Sequence, residues 1–114
     1  MKKDYQKLSI IAHRKDRGKI SVVGKLPINN RDDLSIAYTP GGAGPALAIA
    51  KNKSLAYELT ATKNGGAIVS DGSAVLGLGN IGPEAAHPNM EGKAVLFKRF
   101  ANIDGFPILL STQN

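Results

Sequence analysis

Residues 67–83 read AIVSDGSAVLGLGNIGP, and this stretch carries most of the information about fold class. Apolar runs at 67–70 and 73–76 flank Asp71-Gly72, a dipeptide typical of the tight turn between two antiparallel strands. The pattern therefore predicts a β-hairpin. The glycines that follow it indicate a loop, which leads to Pro83.

Toward the C-terminus, the sequence predicts a helix followed by a strand. Residues 92–102 have apolar positions at helical spacing, which favours a buried helix, and the apolar run at 106–110 is typical of a buried strand. Together with the hairpin, these elements predict the α/β class. A buried strand needs covering elements, so the end of the chain at Asn114 suggests a cut through a larger α/β unit.

Residues 77–82 also match G-x-G-x-x-G, the glycine pattern of dinucleotide-binding folds, with Asp104 downstream as a candidate ribose ligand. The pattern must open the crossover helix of a βαβ unit. Residues 83–90 contain two prolines, and the preceding strand is read as half of a hairpin. These features therefore predict no cofactor-binding residue in this chain.

The N-terminal segment holds most of the positive charge: nine of the fifteen Lys and Arg residues lie in residues 1–31, with only two Asp. Apolar positions at helical spacing follow Asp4, a candidate N-cap, and cations crowd the last turn around His13. A solvated helix is favoured over a nucleic-acid-binding arm. His13 is interpreted as a surface residue because no second His lies within one turn.

The middle of the chain contains a glycine-rich loop with a tyrosine at its start. Residues 38–45 read YTPGGAGP, and short helices are predicted at 46–51 and 54–59. Asp32-Asp33 precedes this loop and is interpreted as a helix-start signal, not as a metal site.

Length and composition exclude several classes of protein. The 114 residues suffice for one small domain, and the absence of Cys excludes disulfide frameworks and thiolate metal sites. No apolar run approaches the roughly 20 residues of a membrane span, so a cytoplasmic protein is expected.

Three segments carry a resemblance to a known family. They are residues 38–41 (YTPG), 70–83 (SDGSAVLGLGNIGP) and 90–98 (MEGKAVLFK). From about residue 13 to the last residue, the sequence resembles the N-terminal domain of bacterial malic enzymes. The resemblance implies oxidative decarboxylation of L-malate to pyruvate and CO2, with NAD or NADP and Mg²⁺ or Mn²⁺ as cofactors.

By motif, the resemblance implies that Tyr38 is the general acid that protonates C3 of enolpyruvate. It implies that Lys93 is the general base that takes the proton of the malate C2 hydroxyl. Because the reference pKa of Lys is about 10.4, a lysine base needs burial, a nearby cation or a positive helix end. Lys93 is expected near the start of its helix, where the macrodipole acts in that direction.

Two departures from the family's pattern concern the Tyr38 loop and the region before Lys93. Family members commonly carry Val, Glu and Cys after Y-T-P-G, where this chain has Gly42, Gly44 and Ala46, so a more flexible loop is expected. His87 and Asn89 are interpreted as surface-loop residues.

The resemblance also implies a domain organisation. Residues 1–30 form a basic helical arm and connector, and residues 31–114 form the start of an α/β/α substrate domain like the N-terminal domain of amino-acid dehydrogenases. The metal ligands and the NAD(P)-binding domain are expected beyond this sequence, so these residues alone are expected to bind neither metal nor cofactor and to be inactive.

Three other functions are compatible with the sequence. A malolactic enzyme would share the same N-terminal motifs. A non-catalytic remnant could use its basic helix to bind a partner, and a homodimer is expected in either case. Nucleic-acid binding through residues 1–31 is the third reading.

Overall fold

The structure, a computed structural model, describes residues 2–114 and divides into two compact units. The first unit comprises the chain up to Ser21 together with Gly65–Asn114, and the second comprises Val22–Asn64. The helices are α1 (Tyr5–Asp16), α2 (Arg31–Ala37), α3 (Ala43–Lys51), α4 (Ala56–Leu59) and α5 (Gly82–Ala101), with 3₁₀ turns at Lys53–Leu55 and Ala61–Asn64; the strands are β1 (Gly65–Ser70) and β2 (Asp104–Leu109).

The first unit is built around a β–α–β arrangement. Strands β1 and β2 pair in parallel, from Gly65 opposite Asp104 to Ser70 opposite Leu109, and α5 connects them. The α/β class is confirmed. The predicted hairpin is wrong: Asp71-Gly72 does not join two strands, because residues 65–70 pair with a strand 39 residues away. Within residues 73–79 the structure has a turn closed by a bridge between Val75 and Gly79.

Helix α5 packs on this sheet through three small or flexible side chains. Ala86, Met90 and Ala94 are buried and recur every fourth residue, so they lie on one face. A Cβ atom on Gly105 of β2 would come within 3.6 Å of the Ala94 Cβ atom, so the glycine lets helix and strand approach closely. The predicted helix is confirmed, but the predicted burial extends only to this face, since Phe100 is 81% exposed.

Two prolines in α5 do not prevent the helix from forming. Pro83 lies in the first turn, where a backbone N–H would have no partner within the helix. Pro88 lies inside the helix and removes one backbone hydrogen bond, but the face around Met90 remains packed. The helix ends at Asn102, which adopts a left-handed conformation and donates its N–H to the Lys98 carbonyl.

The basic N-terminal segment forms helix α1, as predicted. The Asp4 carboxylate accepts a hydrogen bond from the Lys7 amide at 3.1 Å and caps the helix, while Arg14 and Lys15 lie in the last turn. None of the residues of α1 is buried. A charged helix with this exposure does not need a bound ligand to account for its cations.

The second unit consists of short helices. Asn30 caps α2 by accepting a hydrogen bond from the Asp33 amide, and the Asp33 carboxylate accepts one from the Asn29 amide. This confirms the helix-start interpretation of Asp32-Asp33. The short helices predicted after the glycine loop are α3 and α4. Among the described residues, no helix is long and apolar enough to cross a membrane.

The predicted division at residue 30 stays a prediction about domain organisation.

Candidate active site

Tyr38 lies in the second unit, where it ends helix α2. Its backbone N–H donates to the Leu34 carbonyl at 2.9 Å, and its own carbonyl accepts from the Gly42 amide at 2.6 Å. The side chain is 73% exposed. A backbone held at both polar groups with an exposed phenol is a suitable arrangement for presenting a proton donor to a ligand.

Two of the glycines after Tyr38 lie in close backbone contacts. A Cβ atom on Gly41 would overlap the Ser35 carbonyl oxygen, and one on Gly42 would overlap the Tyr38 carbonyl oxygen. A Cβ atom on Gly44 would meet nothing within 4 Å. Gly42 therefore holds the turn that follows Tyr38, whereas Gly44 lies in α3 with space around it.

Lys93 lies in the first unit, on helix α5. The prediction that it lies near the helix start is wrong, because α5 begins at Gly82 and includes the proline-containing segment that the sequence reading excluded. Lys93 lies eleven positions after Gly82. The field of the macrodipole falls off within the first turn, so it does not act at Lys93. His87 and Asn89 are likewise exposed helical residues of α5 and not loop residues.

Lys93 lines an open cavity of about 660 Å³ in the first unit. Most of the cavity wall is apolar and comes from α5 and from the turn after β1. The ionisable residues that line it are Lys93 and Lys19. The lining residues are Lys19, Ala74, Val75, Leu76, Pro88, Asn89, Met90, Gly92, Lys93, Val95 and Leu96.

Lys19 was not selected as a candidate from the sequence. Its ammonium group contacts His13 Nε2 and donates a hydrogen bond of 3.0 Å to the Pro88 carbonyl. His13 Nδ1 lies 2.7 Å from the Ser9 carbonyl, which can only accept, so Nδ1 carries the proton and Nε2 accepts from Lys19. His13 is therefore half-buried and bonded on both ring nitrogens, whereas the sequence predicted only a surface residue.

The backbone at Lys19 is held by Glu91 of α5. The Glu91 carboxylate accepts a hydrogen bond of 3.2 Å from the Lys19 amide. Gly18 has φ +96°, and a Cβ atom there would come within 2.8 Å of the Glu91 carboxylate. The only sequence signal for this arrangement was a glycine directly after the helix, which marks a chain reversal but not its partner.

The glycine-rich turn between β1 and α5 is held by polar contacts from two directions. The Asn80 and Gln113 side-chain amides exchange hydrogen bonds of 3.1 and 2.9 Å. At the other end, hydrogen bonds from the Ser73 hydroxyl and backbone N–H lower the pKa of Asp71 below its ordinary value of 3.8. These contacts fix the turn that forms one wall of the Lys93 cavity.

Comparison with known proteins identifies the family. The sequence profile of the family described as "Malic enzyme, N-terminal domain" matches residues 16–114. The chain belongs to this family. Tyr38 and Lys93 both lie within the matched range, one in each unit of the malic enzyme N-terminal domain.

Individual relatives agree with this membership. The chain is 58% identical over 97 residues to the NAD-dependent malic enzyme of Geobacillus stearothermophilus, covering 85% of this chain and 20% of that protein. It is 52% identical over 102 residues to the bifunctional malic/malolactic enzyme of Bacillus subtilis, covering 90% of this chain and 25% of that protein. The crystal structure of an NAD-dependent malic enzyme from Thermotoga maritima superposes with a TM-score of 0.88 at 51% identity, over 93% of this chain and 30% of that one.

The chain therefore spans about a quarter or less of the length of these curated relatives. The curated relatives include malic enzymes named as NAD-dependent and as NADP-dependent.

The described residues do not fit a dinucleotide or metal site of their own. The reasons given from the sequence against a G-x-G-x-x-G site were wrong, since α5 is a crossover helix between parallel strands. The site still does not fit, because β1 ends at Ser70, seven residues before Gly77, and the fingerprint follows its strand directly. Asp104 is paired with Lys98 at 3.0 Å. Within residues 2–114, no three His, Asp or Glu side chains lie close enough to hold a metal ion.

Proposed function

We propose that this domain contributes the proton-transfer groups of a malic enzyme, which converts L-malate to pyruvate and CO2. The observation that supports the proposal most directly is the family match over residues 16–114, which includes the segments of both Tyr38 and Lys93. The proposed enzyme uses NAD or NADP and Mg²⁺ or Mn²⁺ as cofactors. Because the residues described here do not fit either group, none of them is assigned to binding it.

Lys93 is the proposed general base. Its side chain is exposed on the wall of an open cavity that is large enough to admit a small organic acid. In the proposed reaction, its amine takes the proton of the C2 hydroxyl; NAD or NADP, held elsewhere in the whole protein, would accept the C2 hydride as C2 becomes a ketone. Apolar residues, such as Val75 and Leu96, line the cavity beside it.

Tyr38 is the proposed general acid. Loss of CO2 from the C2-ketone leaves an enolate of pyruvate, and the carbon that carried the carboxylate must gain a proton. A phenol is neutral near pH 7 and can donate that proton. The exposed hydroxyl of Tyr38, carried by a backbone bonded at N–H and C=O, is the group offered for this step.

Separate measurements in the whole protein test the two roles. Lys93→Ala should lower kcat for malate by at least about 100-fold, the usual contribution of a general base. Tyr38→Phe should lower the rate at which deuterium from D2O enters the methyl group of pyruvate by a similar factor. Lys98→Ala, on the same helix, and Tyr57→Phe, a 61% exposed phenol, are the matched controls. Wild-type rates in both Lys93→Ala and Tyr38→Phe would refute the assignment.

The malolactic alternative is not favoured, because the relatives are named chiefly as malic enzymes, one of them as a bifunctional malic/malolactic enzyme. Product analysis decides between them: pyruvate is expected and lactate is not. A cytoplasmic location and a homodimer are also part of the proposal. Light scattering of the purified protein would measure the oligomeric state.

A further inference from the structure

The cavity that contains Lys93 has a second cation with an unused donor. The Lys19 ammonium group has three N–H donors, and the contacts with His13 and Pro88 use two of them. Among the described residues, the third has no partner. An exposed lysine side chain normally samples many rotamers, but these two contacts fix this one at the cavity wall.

The position of Lys19 relative to Lys93 is set by helix α5. The Lys19 Cε atom would lie 3.9 Å from a Cβ atom on Gly92, the residue directly before Lys93. The Glu91 carboxylate binds the Lys19 backbone amide and holds the segment against the helix. Thus the connector after α1 brings a cation from 74 residues earlier in the chain to the cavity of the proposed base.

The charge of the cavity indicates what it binds. Both ionisable residues among those that line it are lysines, and the remaining wall is apolar apart from Asn89. The Lys19 ammonium group, which keeps an unused donor, favours an anionic ligand in this cavity. In the proposed reaction the Lys93 amine faces a neutral hydroxyl, so it does not provide the counter-charge for a carboxylate.

We propose that Lys19 is a substrate-binding residue whose ammonium group binds one carboxylate of a small dicarboxylate and so sets the preference for dicarboxylates over monocarboxylates. This inference rests on the proposed function for the identity of the reaction, but not for the charge preference of the cavity. The contacts with His13 and Pro88 hold the cation in place, which lowers the entropy lost when the ligand binds.

The test compares Lys19→Met, Lys19→Arg and a control, Lys15→Met, in the whole protein. Lys15 is an exposed cation of α1 that does not line the cavity. Lys19→Met should raise KM for L-malate by about tenfold or more, as expected for the loss of one hydrogen bond to a charged group, with less than about a threefold change in kcat. Lys19→Arg should recover most of the affinity, and Lys15→Met should behave as wild type.

Calorimetric binding of succinate and butyrate supplies a readout that does not depend on turnover. The two acids have the same chain length and differ by one carboxylate. Wild-type protein should bind succinate at least about tenfold more tightly than butyrate, and Lys19→Met should lose most of this difference. If Lys19 had a purely structural role, Lys19→Met would weaken the binding of both acids equally.

The outcomes separate the two proposals. Loss of malate turnover in Lys93→Ala together with unchanged KM and unchanged succinate preference in Lys19→Met would overturn the Lys19 inference alone. Full turnover in Lys93→Ala with a Lys19-dependent succinate preference would overturn the proposed base and leave the dicarboxylate site standing.

Discussion

The Gly42 amide donates a hydrogen bond of 2.6 Å to the Tyr38 carbonyl, and no side chain fits at Gly42 without displacing that carbonyl. The sequence suggested that glycines in this loop loosen it. In the structure, the missing Cβ atom of Gly42 leaves room for the Tyr38 carbonyl in the turn after Tyr38.

Gly42→Ala is therefore expected to destabilise the protein by about 1–3 kcal/mol, as overpacking does elsewhere. If Tyr38 is the acid, Gly42→Ala should also lower kcat, with a smaller effect on KM. Gly44→Ala is the matched control. Gly44 is a helical residue of α3, and the added Cβ atom would meet nothing within 4 Å. This control should be neutral or stabilising by up to about 1 kcal/mol. Urea unfolding measures both; equal effects of the two changes would contradict this account.

A second pair of glycines separates backbone strain from steric overlap in the turn after β1. Gly72 and Gly77 have φ values of +72° and +81°, so alanine is strained at both. A Cβ atom on Gly72 would also overlap the Gly82 carbonyl, whereas one on Gly77 meets nothing within 4 Å.

Gly77→Ala should therefore cost about 1–2 kcal/mol, the penalty of the left-handed region alone. Gly72→Ala should cost about 3 kcal/mol or more, because the start of α5 must also move. The free energy of unfolding of each variant checks this order. A cost for Gly77→Ala as large as that for Gly72→Ala would show that overlap with Gly82 is not the cause.

Local sequence signals were reliable where the interaction itself is local. Asp4, predicted as an N-cap, caps α1 through the amide of Lys7, and the helix start predicted from Asp32-Asp33 is the start of α2. The strand before the C-terminus and the helix before it also follow from apolar spacing. In the two caps, the residues that form the contact are separated by three positions.

The errors came from contacts between distant residues. Asp71-Gly72 is a strong hairpin signal, but residues 65–70 pair with 104–109 because α5 covers the resulting parallel sheet. The predicted helix began near Glu91, whereas α5 begins at Gly82 and connects the two paired strands. Lys19 was counted as one cation of many, since only folding brings it to Pro88.

Only one face of α5 is buried, so the same substitution at two neighbouring alanines should have different effects on stability. Ala86 is 0% exposed against the sheet, whereas Ala85 is exposed. Ala86→Leu adds volume where there is no space and should destabilise the protein by about 1–3 kcal/mol. Ala85→Leu has the same change in composition and should stay within about 0.5 kcal/mol of wild type. Thermal unfolding distinguishes them, and similar melting temperatures would show that α5 does not bury Ala86.

The Asp71 carboxylate predicts a pH dependence of the turn next to the Lys93 cavity. The Ser73 hydroxyl and then the Ser73 backbone N–H lower the pKa of Asp71 by hydrogen bonding to the charged form. Because the pKa is lower in the folded state, this contribution to stability is present above pH 3.8, the ordinary value. It is lost as the pH falls from 3.8 through the folded-state pKa.

Ser73→Ala removes the hydroxyl and leaves the backbone donor, so the pKa of Asp71 should rise toward 3.8 without fully reaching it. Asp71→Asn removes the titration altogether. Carbon-13 NMR of the Asp71 carboxyl measures the pKa directly in wild type and in Ser73→Ala. An unchanged pKa in Ser73→Ala would mean that the hydroxyl does not hold the carboxylate, and the backbone N–H would then be the main cause.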